Sequence, residues 1–180
     1  LAEYLLNQNV PYENALFEAV KSHEIEMVKI VIKRDNQPSF INQISEVGTA
    51  LNLAVQNNNY DIVKYLLSIP EIDADLYEQY NHTPLITAIT NFNMPMINLL
   101  LDYYGEKIES QTWQLNIAIE GILEKIYENE YEKNHFSRYI ADKPVIINHQ
   151  KVLNVIKRLL EIKNIDLNYH SRKYTLLTFA

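Results

Sequence analysis

The sequence predicts an all-α chain of stacked helix pairs joined by β-turn or hairpin excursions, and three observations carry that expectation. Apolar residues fall at helical period in paired runs, such as Leu51, Ala54 and Val55 followed by Ile62, Val63, Leu66 and Leu67. The paired runs themselves recur: Ala19, Ala54 and Ala88 sit in the middle of successive first runs, at a nearly constant spacing. Glycine is scarce, with 3 in 180 residues, against the roughly 7% that is usual and that tight β turns draw on.

The elements follow in order. NALFEAVKSHEIEMVKIVI from Asn14, TALNLAVQNNNYDIVKYLL from Thr49 and TPLITAITNFNMPMINLLL from Thr83 each offer two helical patterns separated by a short polar break, which is an antiparallel pair. The stretch SIPEIDADLYEQYNH is too short for a further helix and ends near Asn81, a residue that tolerates the left-handed region of a tight turn. A fourth unit, WQLNIAI, follows with Ala118 in the place of Ala88, after a slightly shorter excursion. In the intact units the first-helix Ala precedes a second-helix aliphatic by a constant step, as in Ala19 to Val28, Ala54 to Val63 and Ala88 to Ile97. From Ala118 the same step reaches Tyr127, yet the matching aliphatic is Ile156, and the difference between those two positions is the length of an insertion. The next start, TLLTFA, gives an independent check, because the span from Ala118 to Ala180 less that insertion is an ordinary repeat period.

The units TPLITAI and TALNLAV, each followed by a polar loop and then DIVKYLL or MINLLL, resemble the ankyrin repeat, whose first helix opens with Thr-Pro-Leu-His and a pair of small residues. The resemblance implies an α-solenoid with one long insertion, arranged as a single domain over residues 1–180. Its units are the end of a preceding repeat at 1–8, repeats at about 9–43, 44–77, 78–107 and 108–169, and the start of another at 170–180, with the insertion at about 120–148. Pro84 suits a first helical turn, where its missing N–H is an orphan donor anyway, and Thr49 or Thr83 can cap that turn. The sequence departs from the pattern in places. The family's His is Asn52, Ile86 or Asn116 here, so its hydrogen bonds between repeats are lost or rebuilt, and Thr-Pro becomes Trp113-Gln114 in the fourth copy.

Composition narrows the function. A net charge of -7, from 16 Lys and Arg against 23 Asp and Glu, repels phosphate backbones and anionic lipid, so neither nucleic acid nor a membrane is the expected partner. No apolar run approaches the length of a spanning helix. Zero cysteines exclude thiol catalysis and thiolate metal sites, and they suit a reducing, intracellular compartment such as the cytoplasm. His23, His82, His135, His149 and His170 show no metal-binding spacing. Glu120, Glu124 and Glu128 line one face opposite Ile119, Ile122, Leu123 and Ile126, which reads as the solvated side of an amphipathic helix. Gly48, Gly105 and Gly121 stand alone, so no phosphate-cradling loop can be built. No metal, cofactor or catalytic residue is expected, and the chain is read as a non-enzyme.

The expected function is a protein-interaction module that recruits or positions another protein on a concave surface of turn tips and first-helix ends. Its candidate contact residues are Ser45, Glu46, Gln56, Asn57, Gln79, Tyr80, His82, Thr90 and Asn91. Tyr80 leads this set, because an exposed aromatic is enriched at interface hot spots. The insertion adds Tyr127, Tyr131, Phe136 and Tyr139, an aromatic density typical of contact surfaces. Extending a connection from about three to about thirty residues costs only ~2 kcal/mol, so packing against the stack is an alternative role for it. Two other readings stand beside this one: the docking domain of a larger enzyme or effector whose active centre lies elsewhere, and a self-associating spacer. Within the insertion, a first helix running from about Trp113 to about Tyr131, an irregular return, and a new helix capped by Asn148 are expected.

Overall fold

The computed structural model describes residues 14–46, 48–77, 83–105, 107–108, 114–122 and 148–162 of the chain. These residues form helices and a single two-stranded hairpin. The chain divides into two compact units, Leu1–Thr87 and Ala88–Ala180.

In the first unit, helix α1 (Ala15–Lys21) packs against α2 (Ile25–Arg34), and α4 (Ala50–Gln56) packs against α5 (Tyr60–Leu67). Helix α1 also lies on α4, and α2 touches α5, so like helices of consecutive repeats sit side by side. The apolar stripes read from the sequence make this core: Val20, Val28, Leu51, Ala54, Val63 and Leu66 are fully buried. Ala19 and Ala54 are small where first helices meet, which lets the backbones approach.

Between the pairs the chain makes a single helical turn, α3 (Pro38–Ile41), and then a hairpin of β1 (Ile44–Ser45) and β2 (Gly48–Thr49). The strands pair antiparallel with Ile44 opposite Thr49 and Ser45 opposite Gly48. Helix α3 was not expected, since four residues are too few to show a period; Pro38 opens it and buried Phe40 and Ile41 anchor it. Gly48 has φ of 88° and a Cβ there would lie 2.9 Å from Asn52 Nδ2, so the position requires glycine twice over. The Thr49 hydroxyl oxygen accepts from the Asn52 amide at 3.1 Å, capping α4 as its chemistry predicts. After α5, Asn42 ties one excursion to the next: its Nδ2 donates to the Glu71 carbonyl at 2.7 Å and its Oδ1 accepts from the Asp73 amide at 2.9 Å.

Helix α6 (Pro84–Thr90) begins immediately after Thr83, with Pro84 in its first turn. Thr83 Oγ1 accepts from the Ile86 amide at 3.3 Å. The link that the family makes with histidine is rebuilt at Asn52, whose Oδ1 accepts a buried hydrogen bond from the Thr87 hydroxyl at 2.9 Å. At Ile86 it is replaced by buried hydrocarbon.

In the second unit, α7 (Met94–Tyr104) is capped by Asn93, whose Oδ1 accepts from the Met96 amide, and it ends at Gly105 with φ of 51°. Residues 114–122 form helix α8, with Leu115, Ala118 and Ile122 fully buried. Helix α9 (His149–Leu160) follows the Asn148 cap, whose Oδ1 accepts from the amides of Gln150 and Lys151.

A left-handed residue marks the turn within the first three helix pairs: His23, Asn58 and Phe92, with φ of 61°, 58° and 54°. Each follows the alanine of its own first helix, Ala19, Ala54 or Ala88, by the same step. Ile122 holds that register after Ala118 in the fourth unit and is helical, so α8 continues where its predecessors turn, as the sequence predicts. Trp113 and the expected extension to Tyr131 lie outside the described residues.

Candidate protein-binding surface

The candidate contact residues fall into separate groups. Ser45 and Glu46 lie on the hairpin, Glu46 exposed and Ser45 half-buried with its hydroxyl donating to the Gly48 carbonyl at 3.0 Å. Gln56 and Asn57 lie at the other end of α4, Gln56 exposed and Asn57 half-buried as the C-cap. A seven-residue helix separates the two groups, which is a rise of about 10 Å. Thr90 is half-buried at the end of α6 and Asn91 is exposed in the following turn. Gln79, Tyr80, His82, Tyr127, Tyr131, Phe136 and Tyr139 lie outside the described residues.

Between its two ends α4 offers little to a partner, because Ala50 through Val55 are all buried. The accessible part of the first unit on the excursion side is therefore the hairpin and the loop after α5. Two apolar side chains that the sequence reading passed over stand out there: Ile44 on β1 is 49% exposed and Tyr77 is 47% exposed. Ile44 alternates with the half-buried Ser45 along β1, which turns it outward; a two-residue strand is too short for that alternation to be read from sequence. Carboxylates at Glu46, Glu71, Asp73 and Asp75 accompany them, and residues 42–77 outside α5 contain no Lys or Arg.

Other side chains singled out in the sequence take structural positions. His23 is exposed, and its Nδ1 shares a 2.7 Å hydrogen bond with Asn59 Oδ1, while Asn59 Nδ2 donates back to the Val20 carbonyl at 3.3 Å. That asparagine links two consecutive inter-helix turns. Glu120 is half-buried at the surface of α8. Among the described residues no three His, Asp or Glu side chains converge as a metal would need. No helix among them is long and apolar enough to cross a membrane.

Comparison with known proteins agrees with the repeat pattern. The family model for ankyrin repeats, in three copies, matches residues 16–112, more than half of the chain. An ankyrin repeat protein of Acanthamoeba polyphaga mimivirus is 27% identical over 110 residues, covering 58% of this chain and 56% of its own. Transient receptor potential cation channel subfamily A member 1 of Homo sapiens is 30% identical over 95 residues, covering 53% of this chain and 8% of its own. The chain thus spans about half the length of the viral relative and a small part of the channel. Phased helix pairs, threonine-capped first helices and a hairpin excursion between the first two pairs, together with that match, place the chain in the ankyrin-repeat family.

Proposed function

We propose that this chain is a non-catalytic recognition module that holds a partner protein at its excursions, with the hairpin of the first unit as the primary contact. Ankyrin repeats are generally protein-interaction modules and typically non-catalytic, which supplies the class. The observation that carries the finer reading is the contrast on one unit between a first helix buried along its length and a hairpin that turns Ile44 and Glu46 to solvent. An apolar side chain beside carboxylates suits a partner segment with an apolar anchor and a basic flank, because opposite charge steers encounter while buried apolar area holds the complex. Tyr80, in the next excursion, is proposed as a second anchor, and the aromatics of the insertion as an additional contact. The partner is proposed to meet the chain inside a cell.

Affinity capture with the intact chain, read by mass spectrometry, identifies the partner. With it in hand, Ile44→Ala combined with Glu46→Ala, and separately Tyr80→Ala, are expected each to weaken binding by about 1 to 3 kcal/mol and to leave the melting temperature within a few degrees. Unchanged affinity in both variants removes the excursions from the contact. The short coverage of both relatives favours a second reading, in which the same surface docks substrate or regulator for an active part elsewhere in a longer protein. A partner that is chemically altered after capture by the longest natural form, and unaltered by this chain alone, distinguishes the two.

A further inference from the structure

Helix α9 carries Lys151, Lys157 and Arg158 and no carboxylate. On α1 and α2, by contrast, the lysines meet a carboxylate of their own helix, Lys21 to Glu18 at 2.8 Å and Lys29 to Glu26 at 2.7 Å. Arg158 reaches Asn98 of α7 and Glu161 just beyond its own helix, which leaves Lys151 and Lys157 without a counter-charge on α9. The helix also exposes leucine where earlier second helices are polar. Counted from the N-caps Glu24, Asn59, Asn93 and Asn148, Leu153 stands where α2, α5 and α7 carry Lys29, Lys64 and Asn98. Leu160 stands where the earlier repeats carry Asn36, Glu71 and Gly105, all exposed. Both leucines are 49% exposed. With Lys157 between them at the i, i+4, i+7 spacing they form one ridge about 10 Å long.

The excursions of the first unit are the converse. Ile44 and Tyr77 are exposed there among carboxylates. Asn42, two residues before Ile44, holds the backbone of Glu71 and Asp73 through both ends of its side-chain amide, which keeps those acidic residues beside the hairpin. One surface is therefore acidic with apolar anchors, and the other is basic with apolar anchors. Opposite charge steers such surfaces together and buried apolar area holds them. Every copy of the chain carries both.

We propose that the hairpin of one copy docks on the α9 ridge of a second copy, with Ile44 against the leucines and the excursion carboxylates against Lys151 and Lys157. The proposal rests on the reading of the excursions as a docking surface and names a second copy of this chain as an occupant of it. Because the two halves are different patches, the contact is heterologous, and copies add head to tail instead of closing as a two-fold pair. Four exposed apolar side chains place it below the ~1,200 Å² of a standard interface, so association is weak and depends on concentration. A copy seated on the hairpin covers the surface that another protein would use. Self-association and partner capture therefore exclude each other, and the local concentration of the chain sets how much of it is free to bind.

Sedimentation of the intact chain tests this from about 1 µM to about 1 mM, the range in which so small an interface forms. The mean mass is expected to rise past that of a dimer with concentration and to fall when salt is added. Lys151→Gln with Lys157→Gln, and separately Ile44→Ala with Glu46→Gln, are each expected to hold the chain monomeric with an unchanged melting curve. An equal mixture of the two variants is expected to form a dimer and nothing larger, since each keeps one competent patch. A monomer at every concentration, an assembly of the natural chain that stops at the dimer, or assembly that either variant leaves intact overturns the proposal. So does an acidic protein captured through Lys151 and Lys157 by a chain that stays monomeric. Failure of the docking reading itself looks different. In that case a captured partner binds the Ile44→Ala, Glu46→Gln variant as tightly as the natural chain, whereas a monomeric chain that loses its partner on those substitutions overturns self-association alone.

Discussion

Three residues hold the left-handed conformation that ends the first helices of the first three pairs, and none is glycine. For His23 and Phe92 a φ near 60° brings Cβ close to the following carbonyl, at roughly 1–2 kcal/mol. Asn58 tolerates it better, since its short polar side chain hydrogen-bonds locally. Phe92→Gly is therefore expected to stabilise the chain by up to about 1 kcal/mol, and Asn58→Gly by less, as read by urea unfolding. A loss of stability at Phe92→Gly would show that packing of the half-buried ring outweighs the backbone strain. The scarcity of glycine was legible in the sequence, but which residues would carry the strain was not, because a period locates a turn and does not give its dihedral angles. The candidate contact residues were legible only as turn positions. Whether a turn residue such as Ser45 points outward or spends its hydroxyl on Gly48 depends on strand register, which two residues cannot reveal.

At the scale of elements, the helices were the readable part. Their apolar residues recur every three to four positions because one side meets a core, and burial of Val28, Val31 and Ile32 on α2 repeats that spacing. Caps were readable in part: Thr49 and Asn148 accept first-turn amides, whereas the Asn59 oxygen before α5 meets His23 instead. Asn148 accepts two amide hydrogens at the start of α9. Asn148→Ala is expected to cost about 1 kcal/mol and to raise amide exchange in the first turn of α9, whereas Asn148→Asp should retain stability. Helix α3 escaped detection because its burial is set by tertiary contact at Phe40 and Ile41 and not by any period.

For the molecule as a whole, repeat stability is close to a sum of units and their nearest-neighbour contacts. The insertion enters that sum weakly if it is appended and strongly if it is part of the stack. Replacing residues 124–146 by Asn-Gly is expected to leave unfolding cooperative with nearly the same midpoint; collapse of the helical signal would make the insertion part of the core. The Asn52–Thr87 bond has a chemical consequence of a different kind. An amide and a hydroxyl neither gain nor lose a proton between about pH 5 and 8, the range in which an imidazole changes charge. By using asparagine at the family's histidine position, the chain takes a titrating group out of a buried link between repeats. Asn52→His would restore one. In that enclosed site desolvation disfavours the imidazolium, lowering the folded pKa below the unfolded value, so protonation would favour the unfolded chain and stability would fall as pH drops. Melting curves from about pH 8 to 5 should show the Asn52→His midpoint declining relative to the natural sequence, and parallel curves would mean that the ring had found water. The natural pairing thus makes this junction indifferent to acidity.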